Sequence, residues 1–308
     1  MTTLDVLSTL RGPVPALVSS IPAGRAALAA AAADYLAIPA EALESPWKWG
    51  EHESPDGIRY GIYRGTETVE AAAAEIERAL AGAPARSPAA VRIAPTTVAR
   101  WALQGRLAAL DDALLDRVPR EGEWTARRTL AHTIDGQRSY GWFSRWWVSQ
   151  PAGPDRPARV TPEAEASSAT ELPGEDAEGL GTVAEIRERL DSVVDEWSLR
   201  FARFSDDTLA VQATWAGIPV DISFRLGRWG SHIAEHTIQL DKTLDWLGHR
   251  PTEVQRIVLE LHNAWGRLES RIFPMPPAGT EAAIADILQR AGETLVSEAR
   301  SARAAAEA

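Results

Sequence analysis

The stretch "RWGSHIAEHTIQLDKTLDWLG", Arg228 to Gly248, holds two of the chain's six histidines, His232 and His236, four residues apart. On one helix such a pair has Cβ atoms about 5–6 Å apart, close enough for two imidazoles to share an ion. A third candidate is His132, in "WTARRTLAHTIDGQRSYGWF". It is followed by Gly136 and Gly141 on a segment otherwise crowded with Tyr140, Trp142, Phe143, Trp146 and Trp147. Three neutral imidazoles with an open fourth position form a recognised catalytic-metal arrangement. Zinc, nickel and ferrous iron all accept it, and the spacing does not choose among them.

Plainer readings compete at each position. A buried histidine taken alone is more often a hydrogen-bonded core residue than a ligand. It is the pairing on one face, with a third histidine at an equivalent bundle position, that favours a metal. Glu235 completes His-x-x-Glu-His, the inverzincin protease motif, in which the glutamate is the base. That reading needs an α/β protein and a further acidic ligand downstream, and nothing after His236 has that pattern, so Glu235 reads as a flank residue or a partner of the ligands. Trp142, Trp146 and Trp147 could wall a ligand, but aromatic stripes at helical spacing usually pack. His52 and His249 read as solvated turn residues and His262 as a structural one. Asp135 and Asp241 are candidates to receive a ligand's second ring N–H, with Arg138 a surface or supporting charge.

These residues need helices to position them. The seam Ile222, Leu226, Trp229, Ile233, Leu240, Leu244, Leu247 runs through the histidine segment, with His236 at the position missing from its rhythm and His232 one turn earlier. Gly227 and Gly230 would let a neighbour approach. The spacing predicts four bundle helices over 96–248. The first is seamed by Leu103, Leu107, Leu110, Leu114 and Val118, and the second is capped by Thr125. The third opens on a capping box, Thr182 with Glu185, and is seamed by Ile186, Leu190, Val193, Trp197, Phe201 and Phe204. The fourth follows a turn at "AGIP". Between the second and third, "PAGPDRPARVTPEAEASSATELPGEDAEGLG" reads as a long exposed crossover loop. An N-terminal block over 1–85, with helices at Pro22–Leu36 and Ile58–Leu80, is expected to pack on the bundle. Residues 86–95 read as a linker, and 249–308 as a helical extension with helices from Thr252 to Ile272 and at the end. The predicted fold class is all-α.

Composition narrows the chemistry. With no cysteine, disulfides, thiolate metal sites and a protein thiol nucleophile are excluded. A net charge of −11 argues against nucleic-acid or anionic-membrane partners. "MTTLDVLSTL" lacks a basic leader and the alanine-rich stretch 26–33 is too short to span a bilayer, so a cytoplasmic location is expected.

The runs "GEWTARRTLAHTIDGQRSY" and "SHIAEHTIQLDKTLDWLG", with the long gap between them, resemble the DinB-like (DinB/YfiT) superfamily over about 96–248. The resemblance implies a four-helix bundle whose second helix carries one metal-binding histidine and whose fourth carries two, here His132, His232 and His236. It implies a divalent metal and, from relatives that use mycothiol or bacillithiol, including a maleylpyruvate isomerase, a low-molecular-weight thiol as cosubstrate. The expected function is thiol transfer to, or isomerisation of, a small electrophile. A metal-dependent hydrolase and a non-enzymatic metal-binding or stress-response protein are the alternatives. A homodimer is compatible with the sequence but not specified by it.

Overall fold

Short side chains fix most of the helix starts. Thr125, Thr161, Thr182, Asp221 and Thr252 each accept a hydrogen bond from the backbone amide three residues on, satisfying donors that the first turn leaves unpaired. The computed structural model describes Leu10 and residues 12–308. The remaining positions, 1–9 and 11, include most of the segment read for a leader and lie outside the described residues. In chain order the elements are α1 (Ser20–Leu36), the short strands β1 (Lys48–Trp49) and β2 (His52–Glu53), α2 (Ile58–Leu80), α3 (Pro88–Leu107), α4 (Ala126–Val148), α5 (Pro162–Glu171), α6 (Glu175–Glu178), α7 (Val183–Phe201), α8 (Asp206–Leu209), β3 (Gln212–Trp215), β4 (Ile218–Asp221), α9 (Ile222–Trp246), α10 (Glu253–Glu269) and α11 (Glu281–Ala306), with three short 3-10 turns. The fold is all-α apart from two small hairpins. No helix among the described residues is long and apolar enough to cross a membrane.

The chain divides into two units. In the first, which includes residues 86–100 and 111–248, the start of α3 together with α4, α7 and α9 makes a four-helix bundle. The α9 seam is buried as its periodicity requires: Ile222, Leu226, Ile233 and Leu240 are 0% exposed and Trp229 1%. Backbones come close where glycine permits. A Cβ at Gly230 would stand 3.0 Å from the backbone of Pro95 and Thr96, which brings α3 against α9. Between α3 and α7, fully buried Arg100 donates to Asp195 at 2.5 Å. The hairpin β3–β4, which runs directly into α9, turns through Ala216 and Gly217, both with positive φ (49° and 79°), as a two-residue turn between twisted strands demands.

In the second unit, residues 17–85, 101–110 and 249–308, α11 packs on α1 and α2, and α10 packs on the same two helices. Glu269, fully buried, takes two hydrogen bonds from Arg25 (2.9 and 2.7 Å) and one from the Trp265 indole (2.9 Å). The block expected to pack on the bundle therefore finds its helix partners, from Leu17 onward, in the C-terminal helices. An alanine-rich α1 buries little area by itself and needs apolar faces such as those of α10 and α11 to complete a core.

Two further expectations shift. The segment read as a linker is helical from Pro88: a proline in a helix's first turn gives up an N–H that has no partner there anyway. The first bundle helix stops at Leu107, and Val118, counted in its seam, is 66% exposed. Close packing between the second and third bundle helices rests on Gly141, where a Cβ would fall 2.1–2.3 Å from the Trp197 ring. Gly141→Ala is expected to lower stability by about 1–3 kcal/mol through overpacking. Urea unfolding measures it; an unchanged midpoint would mean that the indole can swing aside.

Candidate metal centre

The middle of α4 faces the middle of α9, and there the three histidines meet. His132, His232 and His236 each offer a ring nitrogen, and these atoms all lie within 4.8 Å of one another. The His232 and His236 Nε2 atoms are 3.1 Å apart. A tetrahedral shell with bonds of about 2.0–2.1 Å puts ligand nitrogens about 3.3 Å apart, so this pair already stands near ligating separation. His132 completes the group with ring centroids 5.5 Å from His232 and 4.8 Å from His236. Gly136, one turn beyond His132, makes room: a Cβ there would be 2.3 Å from His232 Cε1.

The outward nitrogens decide which lone pairs point in. His132 Nδ1 lies 3.0 Å from Glu175 Oε2, and His236 Nδ1 lies 2.8 Å from Gln239 Oε1. Both oxygens can only accept, so both Nδ1 atoms carry the proton and both Nε2 atoms present a lone pair. His232 Nδ1 is 3.3 Å from Gln137 Nε2, while the buried Gln137 Oε1 has no partner. Turning that amide over, an assignment open for any glutamine, lets Oε1 accept from Nδ1–H and pairs the orphaned atom. All three Nε2 lone pairs then converge, and the donor set fits a divalent cation held by neutral imidazoles.

Electrostatics disfavours the protonated form of His232 and His236. Burial, with His236 and His132 alongside, pushes the His232 imidazole down to about 3. His236 is lowered as well, chiefly by burial. Aromatic rings brace the group: Trp124 stacks on His236 (centroids 6.5 Å, planes 11° apart) and meets His132 edge-on, and Tyr140 meets His232 edge-on. One side stays open. A cleft of about 730 Å³ reaches the three histidines, with Tyr140, Phe143, Trp215 and Arg225 among its lining residues.

The other candidates sort out by environment. Glu235 is exposed and bound to Arg228 at 2.5 Å, which holds its carboxyl below the usual range; it is not poised as a base. Asp135 lines the cleft, its carboxyl raised by burial and by Glu175 and Glu178. Trp142 and Trp147 are buried packing residues. His52 is exposed, and His262 lies buried in the second unit with its Nδ1 2.8 Å from the Val258 carbonyl oxygen.

The segment read as an exposed loop supplies what the sequence reading missed. It folds into α5 and α6. Glu175 reaches His132, and Glu178, 1% exposed, receives two hydrogen bonds from Arg138. The available signal was "GEDAEG", acidic residues with short helical spacing. Gln137, Gln239 and Trp124 carried no signal beyond proximity to the histidines.

Residues 96–240 match the DinB superfamily. This segment is a DinB-superfamily domain. The histidine order expected from the resemblance, one on the second bundle helix and two on the fourth, is the order seen. The structure of YfiT from Bacillus subtilis, described as "a probable metal-dependent hydrolase with an unusual four-helix bundle topology", is similar at 16% identity over 68% of this chain and 99% of that one, with a TM-score of 0.34. The comparison with curated proteins finds no match.

The geometry of the DinB-superfamily domain generates two expectations. Gly136→Ala forces the His232 ring to move and should weaken zinc binding by about tenfold or more while the helices persist, since a displaced ligand loses its bond length; zinc competition with a chelating dye measures this. In metal-free protein, His232 has a folded value near 3 against an ordinary 6.5. Between those values the unfolded chain binds more protons, so stability falls as pH drops from about 6.5 toward 3. Urea midpoints of metal-free protein should fall more steeply over this window than those of His232→Gln; parallel slopes would contradict the neutral assignment.

Proposed function

We propose that the DinB-superfamily domain is a metal-dependent enzyme in which His132, His232 and His236 hold a divalent cation and an external thiol is transferred to a small electrophile. The observation that carries the reading is three histidine ring nitrogens within 4.8 Å of one another at an open cleft, with Glu175, Gln137 and Gln239 each beside a ring's Nδ1. A cation bound there supplies Lewis acidity and favours the deprotonated form of a thiol or water, because three neutral imidazoles cancel none of its charge.

The chain's own residues do the rest. Glu175 holds the His132 tautomer and adds negative charge behind it. Tyr140, Phe143 and Trp215 give the cleft apolar walls that keep water from a bound electrophile. With no cysteine in the chain, a sulfur nucleophile must come from solution. The cleft falls within the usual range for small-molecule sites, so it has room for a thiol and a second reactant. Asp135, with its raised carboxyl, is placed to exchange a proton with a group in the cleft. Zinc, nickel and ferrous iron remain equivalent on this donor set.

Purified wild type is expected to carry about one divalent metal per chain, and His236→Ala almost none with helicity unchanged, since alanine favours the helix and two imidazoles hold the ion poorly. Elemental analysis and far-ultraviolet circular dichroism read both. Titrating 2-mercaptoethanol into zinc-loaded protein at pH 7 should show binding with release of about one proton, detected as a buffer-dependent heat. A zinc-loaded protein that takes up no thiol would overturn thiol transfer and favour the water-based alternative.

A further inference from the structure

Arg225 stands two turns before His232 on α9 and lines the same cleft. It is 5% exposed. Its Nε donates to Ser144 Oγ at 3.1 Å and its Nη1 to the Thr214 carbonyl at 2.8 Å, and the Tyr140 ring lies 6.0 Å from the guanidinium carbon. These partners are all neutral. Among the described residues no carboxylate forms an ion pair with Arg225 and none bonds its Nη2.

Three other buried charges among the described residues are matched. Arg100 has Asp195, Glu178 has Arg138, and Glu269 has Arg25. A buried charge without a counter-charge costs several kcal/mol, and removing a proton does not relieve it here: burial lowers the Arg225 guanidinium only to about 10, so it stays charged at neutral pH. Two neutral acceptors hold Nε and Nη1, no hydrogen bond from Nη2 reaches a described residue, and the side chain lines the cleft. A guanidinium N–H that keeps its charge is a strong donor to a carboxylate.

We infer that Arg225 anchors a carboxylate on the substrate, so that the cleft selects small aromatic carboxylic acids. Seven residues of helix place this anchor about 10 Å along the axis from His232. A molecule held at Arg225 by its acid group reaches the histidines with its far end, across a span that fits one ring and a short chain. Tyr140, Phe143 and Trp215 line the same cleft, as does exposed Arg159, which has no carboxylate partner among the described residues. The carboxylates that share the cleft do not serve Arg225: Glu235 is held by Arg228, and neither Asp135 nor Glu165 pairs with it. This inference deepens the proposed function by naming a substrate class, and its anchor is separate from the metal ligands.

The probes are benzoate and 3-phenylpropionate, each paired with its neutral amide, titrated into the zinc-loaded full-length chain and followed by tryptophan fluorescence, to which Trp215 contributes. The acids should bind saturably and at least about tenfold tighter than the amides, as a hydrogen bond to a charged group warrants. Arg225→Met should remove most of that preference with zinc content unchanged, and Arg225→Lys should keep part of it. His236→Ala should lose zinc yet retain the preference for acids. Preference lost in His236→Ala but kept in Arg225→Met would place the carboxylate on the metal and overturn the inference while leaving the metal reading intact. Equal binding of acid and amide by wild type would overturn it without any variant, which covers the case that Arg225→Met does not fold.

Discussion

Three imidazoles of the DinB-superfamily domain crowd one point, and much of the surrounding structure serves that arrangement. The His232 and His236 Nε2 atoms stand 3.1 Å apart, a separation at which two lone pairs repel unless a proton or a cation lies between them. Burial disfavours the proton, since the low-dielectric surroundings penalise the imidazolium. The same burial that makes His232 and His236 poor at holding protons suits the group to a softer, doubly charged ion that three nitrogens can share.

That arrangement depends on a second layer. Each ring has a polar side chain at its Nδ1, and these come from different parts of the chain: Gln239 from the helix that carries its histidine, Gln137 from the facing helix, and Glu175 from the crossover between bundle helices. The crossover is therefore part of the site. Its Glu178 receives Arg138 one turn and a half beyond His132, tying the same short helix to α4 a second time. Glycine provides the space. Gly136 admits the His232 ring, Gly141 admits Trp197, and Gly230 admits the α3 backbone, so the helices approach where the site needs them.

The cleft divides its charges by task. Near the histidines, Glu175 supplies negative charge behind a ring. Farther along α9, Arg225 keeps a positive charge with only neutral partners. Glu235 and Arg228 cancel each other at the rim.

The sequence by itself determined the periodic elements. The α9 seam, the Thr125 and Thr182 caps and the pairing of His232 with His236 follow from spacing along one helix, where a residue's neighbours are three or four positions away. It also determined that any sulfur nucleophile is foreign to the protein, because the chain has none of its own. Only the tertiary structure decided the rest. It brought His132 to the pair, gave Glu175 and Gln137 to the rings, and left Arg225 without a counter-charge. It also turned a proline-bearing linker into the start of a bundle helix and joined the N-terminal helices to the C-terminal ones. None of these follows from local spacing. Each depends on which faces meet across separations of tens to hundreds of residues, and that is fixed by burial and close packing of the whole chain.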